Sequence, residues 1–365
     1  MALQSSGEIR FSQIRDEFGE SGPGSAVSLG RYRKNSIHFT NKVIGRDVNN
    51  RLGSYSNYLP LDIDCGPNAN TPIGETGQIK ASDFYNGRLN MVVDFYSGDA
   101  DTRLNVRTIY DNDSNGSTVK CIGGFRFRPN SSADKRVIAY VAKKIGSETG
   151  GTDRCALKTS SNWQSNTKLE FEIGPAGEIY GAGGNGGNGG DANNGNGVDG
   201  EDGSSALGIE YPVTKINNLG RIQAGYGGGG GGGGKSERRK SGKKSSRRHS
   251  SGGGGGGGGA GYPNSVGGDG NDSNVQNEGT PGSDGGDGTD RESGALGAGG
   301  RDAGDGGAGQ VVNNSSTKGA DGVSTGGTGG TGGDGGYAII TSQGSLPTIT
   351  GNSVIGRTAT STTPG

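Results

Sequence analysis

Residues 181–336 carry 58 of the chain's 82 glycines, whereas residues 1–180 carry 20. Globular proteins use about 7% glycine, and a segment so poor in side chains cannot bury a conventional core. It is ordered through its backbone or not ordered at all. Asn185, Asn188 and Asp191 recur at every third position among the glycines, and so do Thr325, Thr328, Thr331 and Asp334. A period of three fits the three residues per turn of an extended polyproline II helix, and fits neither the α-helical 3.6 nor the strand's 2. Two readings follow. In the first, the tracts are flexible linkers, since glycine loses most freedom on ordering. In the second, extended helices lie side by side, their bare positions letting backbones approach for N–H···O and Cα–H···O contacts. Collagen needs glycine at every third position with abundant proline, whereas here two positions in three are often glycine. The ordered form is therefore a bundle of polyglycine II helices.

A repeated motif favours order. Ile173-Gly-Pro-Ala-Gly177-Glu-Ile179 precedes the first glycine tract and Ile216-Asn-Asn-Leu-Gly220-Arg-Ile222 the second; both read Ile-x-x-x-Gly-x-Ile. A flexible linker has no use for such a launch. The expected content is a tight turn with glycine at a positive-φ position, pinned by two apolar residues.

The first half differs. All eight Phe and the single Trp precede residue 180, which sets a boundary near Tyr180. Residues 1–87 form an expected small module with an internal echo: Gly7-Glu-Ile-Arg-Phe-Ser12 returns as Gly77-Gln-Ile-Lys-Ala-Ser82. Ser12 and Ser82 each cap an expected helical turn, the first carrying Ile14 and Phe18 and ending at Gly19, the second ending at Gly87. Residues 88–180 read as β, with strands expected over Leu89–Tyr96, Leu104–Tyr110, Val119–Phe127, Val137–Ile145 and Leu169–Ile173. They suggest a small sandwich, with Trp163, Phe125, Phe127 and Phe171 as core and not as ligand platform. Residues 337–365 close the chain.

Cys65, Cys121 and Cys155 are odd in number and widely spaced, which encodes neither a disulfide framework nor a zinc site. Met1 to Phe18 holds no apolar stretch long enough for a signal peptide or a membrane span. The net charge of -1 conceals two blocks. Residues 235–249 hold eight Lys or Arg against one Glu, a balance of +7 with His neutral; residues 267–334 hold eleven acids against three bases, a balance of -8. Gly267-Gly-Asp-Gly-Asn-Asp272 and Gly285-Gly-Asp-Gly-Thr-Asp290 fit the start of a calcium-binding nonapeptide, but Asn274 and Glu292 occupy its apolar position. Solvated turn aspartates are the reading, with no metal and no cofactor expected. A polysaccharide-cleaving enzyme needs two carboxylates in a walled groove, and the acidic region lacks apolar residues for walls. His38 and His249 have no nucleophile motif around them, so no enzyme is expected.

These residues resemble the glycine-rich receptor-recognising adhesins at the distal end of T-even-like phage tail fibres. The resemblance spans roughly residues 170–357. It rests on the two launches, the runs Gly227–Gly234 and Gly252–Gly259, the GGxGGx tracts, and Gly335-Gly-Tyr-Ala-Ile-Ile340 followed by Ile349-Thr-Gly-Asn-Ser-Val-Ile-Gly356. It implies polyglycine II helices carrying tip loops that contact a receptor on the host envelope, lipopolysaccharide or an outer-membrane protein. The opening phrases resemble a module common in phage virion proteins, which implies attachment to other tail-fibre or virion proteins. The implied location is the virion tail fibre, assembled in the host cytoplasm.

The expected fold is mainly β plus a glycine-rich domain of packed polyglycine II helices over 181–336, with little α-helix. Eight residues at about 3.1 Å rise make a rod of roughly 25 Å, so two antiparallel glycine runs would hold Lys235 to His249 as a loop at one end. Lys235, Arg238, Arg239, Lys240, Lys243, Lys244, Arg247 and Arg248 are the receptor-binding candidates, able to pair with envelope phosphates or carboxylates. No aromatic is interleaved among them, which argues against nucleic acid. Tyr226 and Tyr262 flank the tracts, as does Tyr211, and offer rings for sugar stacking or for packing on the glycines. The alternative function is a structural virion protein, a fibre segment or capsid decoration, with the glycines as scaffold or spacer.

Overall fold

The computed structural model describes residues 7–13, 61–63, 77–81, 87–95, 101–112, 119–121, 135–165, 167–241, 245–272, 280–310, 322–324 and 326–365. Ile14, Phe18, His38, Ser82, Phe125, Phe127, Lys243 and Lys244 lie outside them. The described residues are mainly β with little helix.

After a short strand, Leu61–Ile63 (β1), the chain climbs in five rungs, each laying one strand or bridge on each of three sheets. The first rung is Gly87–Phe95 (β2), Asp101–Thr102 (β3) and Leu104–Asn105 (β4), followed by the helix Val106–Asn112 (α1) and Val119–Cys121 (β5). The second is Lys135–Val141 (β6), Lys144–Gly146 (β7) and Cys155–Lys158 (β8). The third is Lys168–Ile173 (β9), Glu178–Tyr180 (β10) and Ser205–Ile209 (β11). The fourth is Val213–Asn218 (β12), Arg221–Gln223 (β13), a hairpin of Lys235–Ser241 (β14) with Ser245–Ser251 (β15), and Ile339–Thr341 (β16). The fifth is Thr348–Gly351 (β17), a bridge at Ile355 to Gln223, and Thr358–Ala359 (β18). Sheet one runs β2-β6-β9-β12-β17, sheet two β3-β7-β10-β13 and sheet three β4-β8-β11-β16-β18. All of these pairs are parallel; β1 and β5 join β2 antiparallel.

The core is built of like residues stacked rung on rung. Val93, Ala139, Phe171 and Ile216 share one register, and all are buried. Ile145, Ile179 and Ile222 stack in sheet two, and Leu104, Leu157, Leu207 and Ile339 in sheet three. Each fully buried side chain of this size stabilises by about 1.5–3 kcal/mol. The arrangement, three parallel sheets, replaces the expected small sandwich. A sandwich is built from hairpins, whereas here each rung returns to its own sheet only after crossing the other two.

The expected strand Leu104–Tyr110 is also corrected. Asn105 Oδ1 accepts the N–H groups of Arg107 and Thr108 at 3.0 and 3.1 Å, the N-cap bond that starts a helix. Tyr110 from α1 then packs on Trp163, ring centroids 5.4 Å apart. Trp163 and Phe171 are buried core residues, as expected. In the opening echo, Gly7 and Gly77 share φ 96°, and Ile9 and Ile79 both pack on the core. In the turn after Gly7, Gln13 Oε1 accepts the Arg10 N–H at 2.7 Å; the helical turn expected from Ser12 to Gly19 lies outside the described residues beyond Gln13. Gly87 opens β2.

Both launches are corners between sheets one and two. Their glycines are needed for close approach and not for positive φ: a Cβ on Gly177 would lie 2.2 Å from the Val141 carbonyl oxygen, and one on Gly220 2.0 Å from that of Gly177. Ile349 to Ile355 repeats the corner, with Ile349 paired to Ile216 and the Ile355 N–H bonded to Ile222 O at 2.9 Å.

The glycine tracts continue the registers of the sheets. β10 pairs with β13, and beyond them Gly184, Gly187 and Gly190 donate to Tyr226, Gly229 and Gly232 at 2.8–2.9 Å, one bond every third residue. Residues 195–204 and 326–336 run side by side in the same way into β11 and β16, with Gly197, Gly200 and Gly203 donating to Thr328, Thr331 and Asp334. Residues 225–234 bond to segments 181–190, 195–204, 252–261, 304–310, 322–324 and 326–336. Residues 252–261 bond to segments 181–190, 225–234, 266–271, 280–289, 294–300 and 304–310. The two all-glycine runs are thus the two segments ringed on every side. A Cβ at Gly229 would meet Gly307 O at 2.0 Å, and one at Gly256 would meet Gly229 O at 2.0 Å.

The residue at every third position also has a task. Asn196, Asp199 and Asp202 turn Oδ1 onto the N–H groups of Thr328, Thr331 and Asp334 at 3.0, 2.6 and 2.6 Å. Asn185 and Asn188 do the same for Val266 and Asp269, as do Asp287 and Asp284 for Gly267 and Gly270. Of the aspartates expected to be solvated, Asp287 instead accepts the Gly267 N–H and Asp290 pairs with Lys144, whereas Asp269 and Asp272 are exposed.

Candidate functional site

The backbone register gathers remote reversals at the end of the glycine segments away from the three sheets. Gly190 bonds to Gly232, Gly253 to Gly190, Gly234 to Gly195, Gly304 to Gly233, Gly300 to Gly252 and Gly327 to Gly234. The turn 191–194, the β14–β15 hairpin, the turn 301–303 and the ends Ser324 and Gly326 therefore lie at one level. Asn194 and Asp302 each adopt φ 61° there, a left-handed conformation that Asn and Asp tolerate better than most residues.

The hairpin stands on the two ringed glycine runs, at their centre. Its register sets Lys235 against Ser251, Glu237 against His249, Arg238 against Arg248, Arg239 against Arg247 and Lys240 against Ser246. Its base is tied to neighbouring turns. The Ser236 N–H donates to Asn194 Oδ1 at 2.8 Å, the Thr280 N–H to Ser251 Oγ at 3.4 Å, and the Arg301 N–H to Thr280 Oγ1. Ser250 and Ser251 are buried, and Lys235 is half-buried. Asp191, Asp272, Arg301 and Asp302 are exposed at the same end, so the basic hairpin has a mainly acidic rim.

Of the residues singled out from sequence, Lys235, Arg238, Arg239, Lys240, Arg247 and Arg248 fall on this hairpin. The aromatic candidates do not join them. Tyr226 begins a ringed segment and is fully buried, which removes it from sugar stacking. Tyr262 sits at the opposite end, where Lys144 Nζ lies 4.8 Å from its ring. Tyr211 donates its hydroxyl to Gln164 O at 2.7 Å, beside sheet one. Sequence reasoning missed the turns 191–194 and 301–303 as neighbours of the hairpin. Asn194-Gly195 and Arg301-Asp302 mark them as turns, but only the register brings them together.

At the sheet end, loops clasp the glycine segments to the rungs. Lys144 Nζ lies 2.7 Å from Asp290 and 3.7 Å from Glu178, and Arg291 lies 3.1 Å from Glu178. Burial alone would depress the Lys144 ammonium, but the hydrogen bond and charge of Asp290, with Glu178, hold its pKa above the ordinary lysine value. The hydrogen bond from Lys144 outweighs burial at Asp290 and holds that carboxyl below its ordinary range. Cys155 lines a cavity of about 260 Å³ with Arg103, Glu148 and Lys158. Burial pushes its thiol up to about 12, which leaves it a poor nucleophile.

The chain is thus a three-sided β stack that carries a backbone-bonded glycine array with a cluster of turns at its far end. The family described as phage tail fibre adhesin Gp38 matches residues 107–363, and the chain belongs to that family. The match covers rungs two to five and the whole glycine array. No curated protein and no solved structure matches the chain. As a member of the family, the protein is a tail-fibre adhesin, a component of the virion that attaches to the host cell.

Proposed function

We propose that the protein binds a bacterial surface receptor through the turns at the free end of its glycine segments, with the basic hairpin at the centre, and that it is not an enzyme. The observation that carries this reading is the register that brings turns separated by more than a hundred residues to one level. Backbone hydrogen bonds fix the segments beneath those turns, so little ordering is left for the moment of binding. We further propose that the segments are polyglycine II helices. The bond at every third residue supports this, because three residues per turn aims successive N–H and C=O groups in six directions. In this reading residues 1–87 mount the protein on other tail-fibre or virion proteins, residues 88–180, 205–223 and 337–365 supply the β stack, and the glycine segments within residues 181–336 supply the presenting array. Deleting residues 236–248 while keeping both glycine runs tests the site: adsorption to host cells is expected to fall to background. Unchanged adsorption and host range would overturn it.

A further inference from the structure

We infer that the hairpin takes phosphate groups of a phosphorylated surface saccharide, gripped by the opposed pairs Arg238 with Arg248 and Arg239 with Arg247. This rests on the reading of the free end as the receptor-binding face. Like charges directly opposite across a ribbon destabilise it, and the register imposes that opposition twice in succession. Opposite residues of an antiparallel ribbon lie about 4.5–5.5 Å apart, and alternation assigns one arginine pair to each face. A phosphate monoester carries about -1.5 to -2 at pH 7, which matches a pair of guanidinium groups; a carboxylate carries half that. Arginine adds bidentate geometry suited to phosphate oxygens.

Composition points the same way. Residues 235–251 consist of Lys, Arg, Ser, Glu, Gly and His alone. Protein interfaces draw their affinity from buried aromatic and apolar anchors, and the hairpin has none to offer. Among the described residues, Glu237 stands opposite His249 and Lys240 opposite Ser246 on the ribbon, and Asp191, Asp272, Arg301 and Asp302 sit on the flanking turns. These acids confine the favourable potential to the hairpin, so an anion is drawn to the ribbon and not to the surrounding rim. The ties to Asn194 and Thr280 at the base hold the ribbon ready.

The test uses the full chain and lipopolysaccharide from a strain to which the phage adsorbs, either intact or stripped of phosphate with hydrofluoric acid, which spares carboxylated sugars. Removing phosphate is expected to weaken binding roughly 100-fold, since charge-assisted hydrogen bonds are lost at several groups. The combined variant Arg238→Ser, Arg239→Ser, Arg247→Ser, Arg248→Ser is expected to lose as much and to show a shallower response to sodium chloride than the parent. Replacing the same four residues by Lys should retain an intermediate affinity. An unchanged melting temperature in the Ser variant confirms that the fold persists; if it falls, the Lys variant and the stripped lipopolysaccharide carry the test. Equal binding to both preparations, or binding to host membranes but not to purified lipopolysaccharide, overturns the phosphate assignment. If the Ser variant also fails to adsorb to cells in that case, the free end remains the receptor face with another ligand. Normal adsorption of the Ser variant would overturn both.

Discussion

The three-sided stack and the glycine array solve the same problem with opposite materials. In the stack, order comes from side chains: Ile145, Ile179 and Ile222 bury one another across rungs, and the backbone bonds along each sheet. In the array, order comes from the absence of side chains. Residues 225–234 and 252–261 each exchange backbone bonds with six neighbours, and a Cβ at glycines such as Gly229 and Gly256 would clash with a neighbouring carbonyl. The stack should therefore tolerate a smaller residue at a moderate cost, and the array should tolerate no larger one. A stack built from side chains can grow only where the sequence is apolar. An array built from backbone can be long, soluble and rigid with almost no apolar residues.

The sharpest break between the two is expected from adding atoms. Gly229→Val would push a branched side chain into Gly307 O, which a Cβ alone would approach to 2.0 Å. A loss of about 4 kcal/mol or more is expected, seen as collapse of protease resistance in the glycine segments 225–234 and 252–261 while the stack still melts cooperatively. Removing atoms from the stack comes next. Ile179→Ala leaves a cavity between Ile145 and Ile222 and should cost about 2–5 kcal/mol by denaturant unfolding. If the glycine change costs no more than this one, the contrast between the regions fails.

The array's edges sharpen the contrast further, because there a side chain replaces a backbone acceptor. Asp199→Ala removes the acceptor of the exposed Thr331 N–H and should cost about 0.5–1.5 kcal/mol. Asp199→Asn keeps the oxygen that accepts at 2.6 Å and should change the melting temperature little. The smallest expected effect lies at the clasp between the regions. Asp290 has a lowered folded pKa, so its contribution is complete above the ordinary carboxylate range and is lost as pH falls through the lowered value. Lys144 has a raised one, so its contribution is complete below the ordinary lysine range and is lost as pH rises through the raised value. Their side chains are 27% and 31% exposed, so Asp290→Asn should cost at most about 1 kcal/mol at neutral pH and remove the acidic limb of the dependence in a melting-temperature series.

What could be read from the sequence divides along the same line. The period of three and the launches are local, and they announced the array and its point of departure. The sequence suggests a sandwich and not the stack, because the stack's partners are remote: Phe171 pairs with Ile216, and Ile216 with Ile349, with no hairpin turn between them. The third corner, Ile349 to Ile355, hid because its glycine stands elsewhere, at Gly351 with φ 86°. The helix after Asn105 carried a capping signal that an apolar run obscured. At the free end, charge announced the hairpin, but nothing local shows that Asn194 and Arg301 stand beside it. Tyr226 flanks the glycine run, and nothing local shows that its ring is buried there.

The central claim is that glycine backbone, bonded on every side, forms the rigid body that presents the free end. Amide hydrogen exchange of Gly228–Gly233 and Gly253–Gly258 in the full-length protein tests it most directly. The account predicts protection as strong as that of Phe171 and Ile173 in β9, since every one of those N–H groups lies inside the array. Exchange of the glycine amides at the rate of an open chain, with β9 still protected, would contradict it.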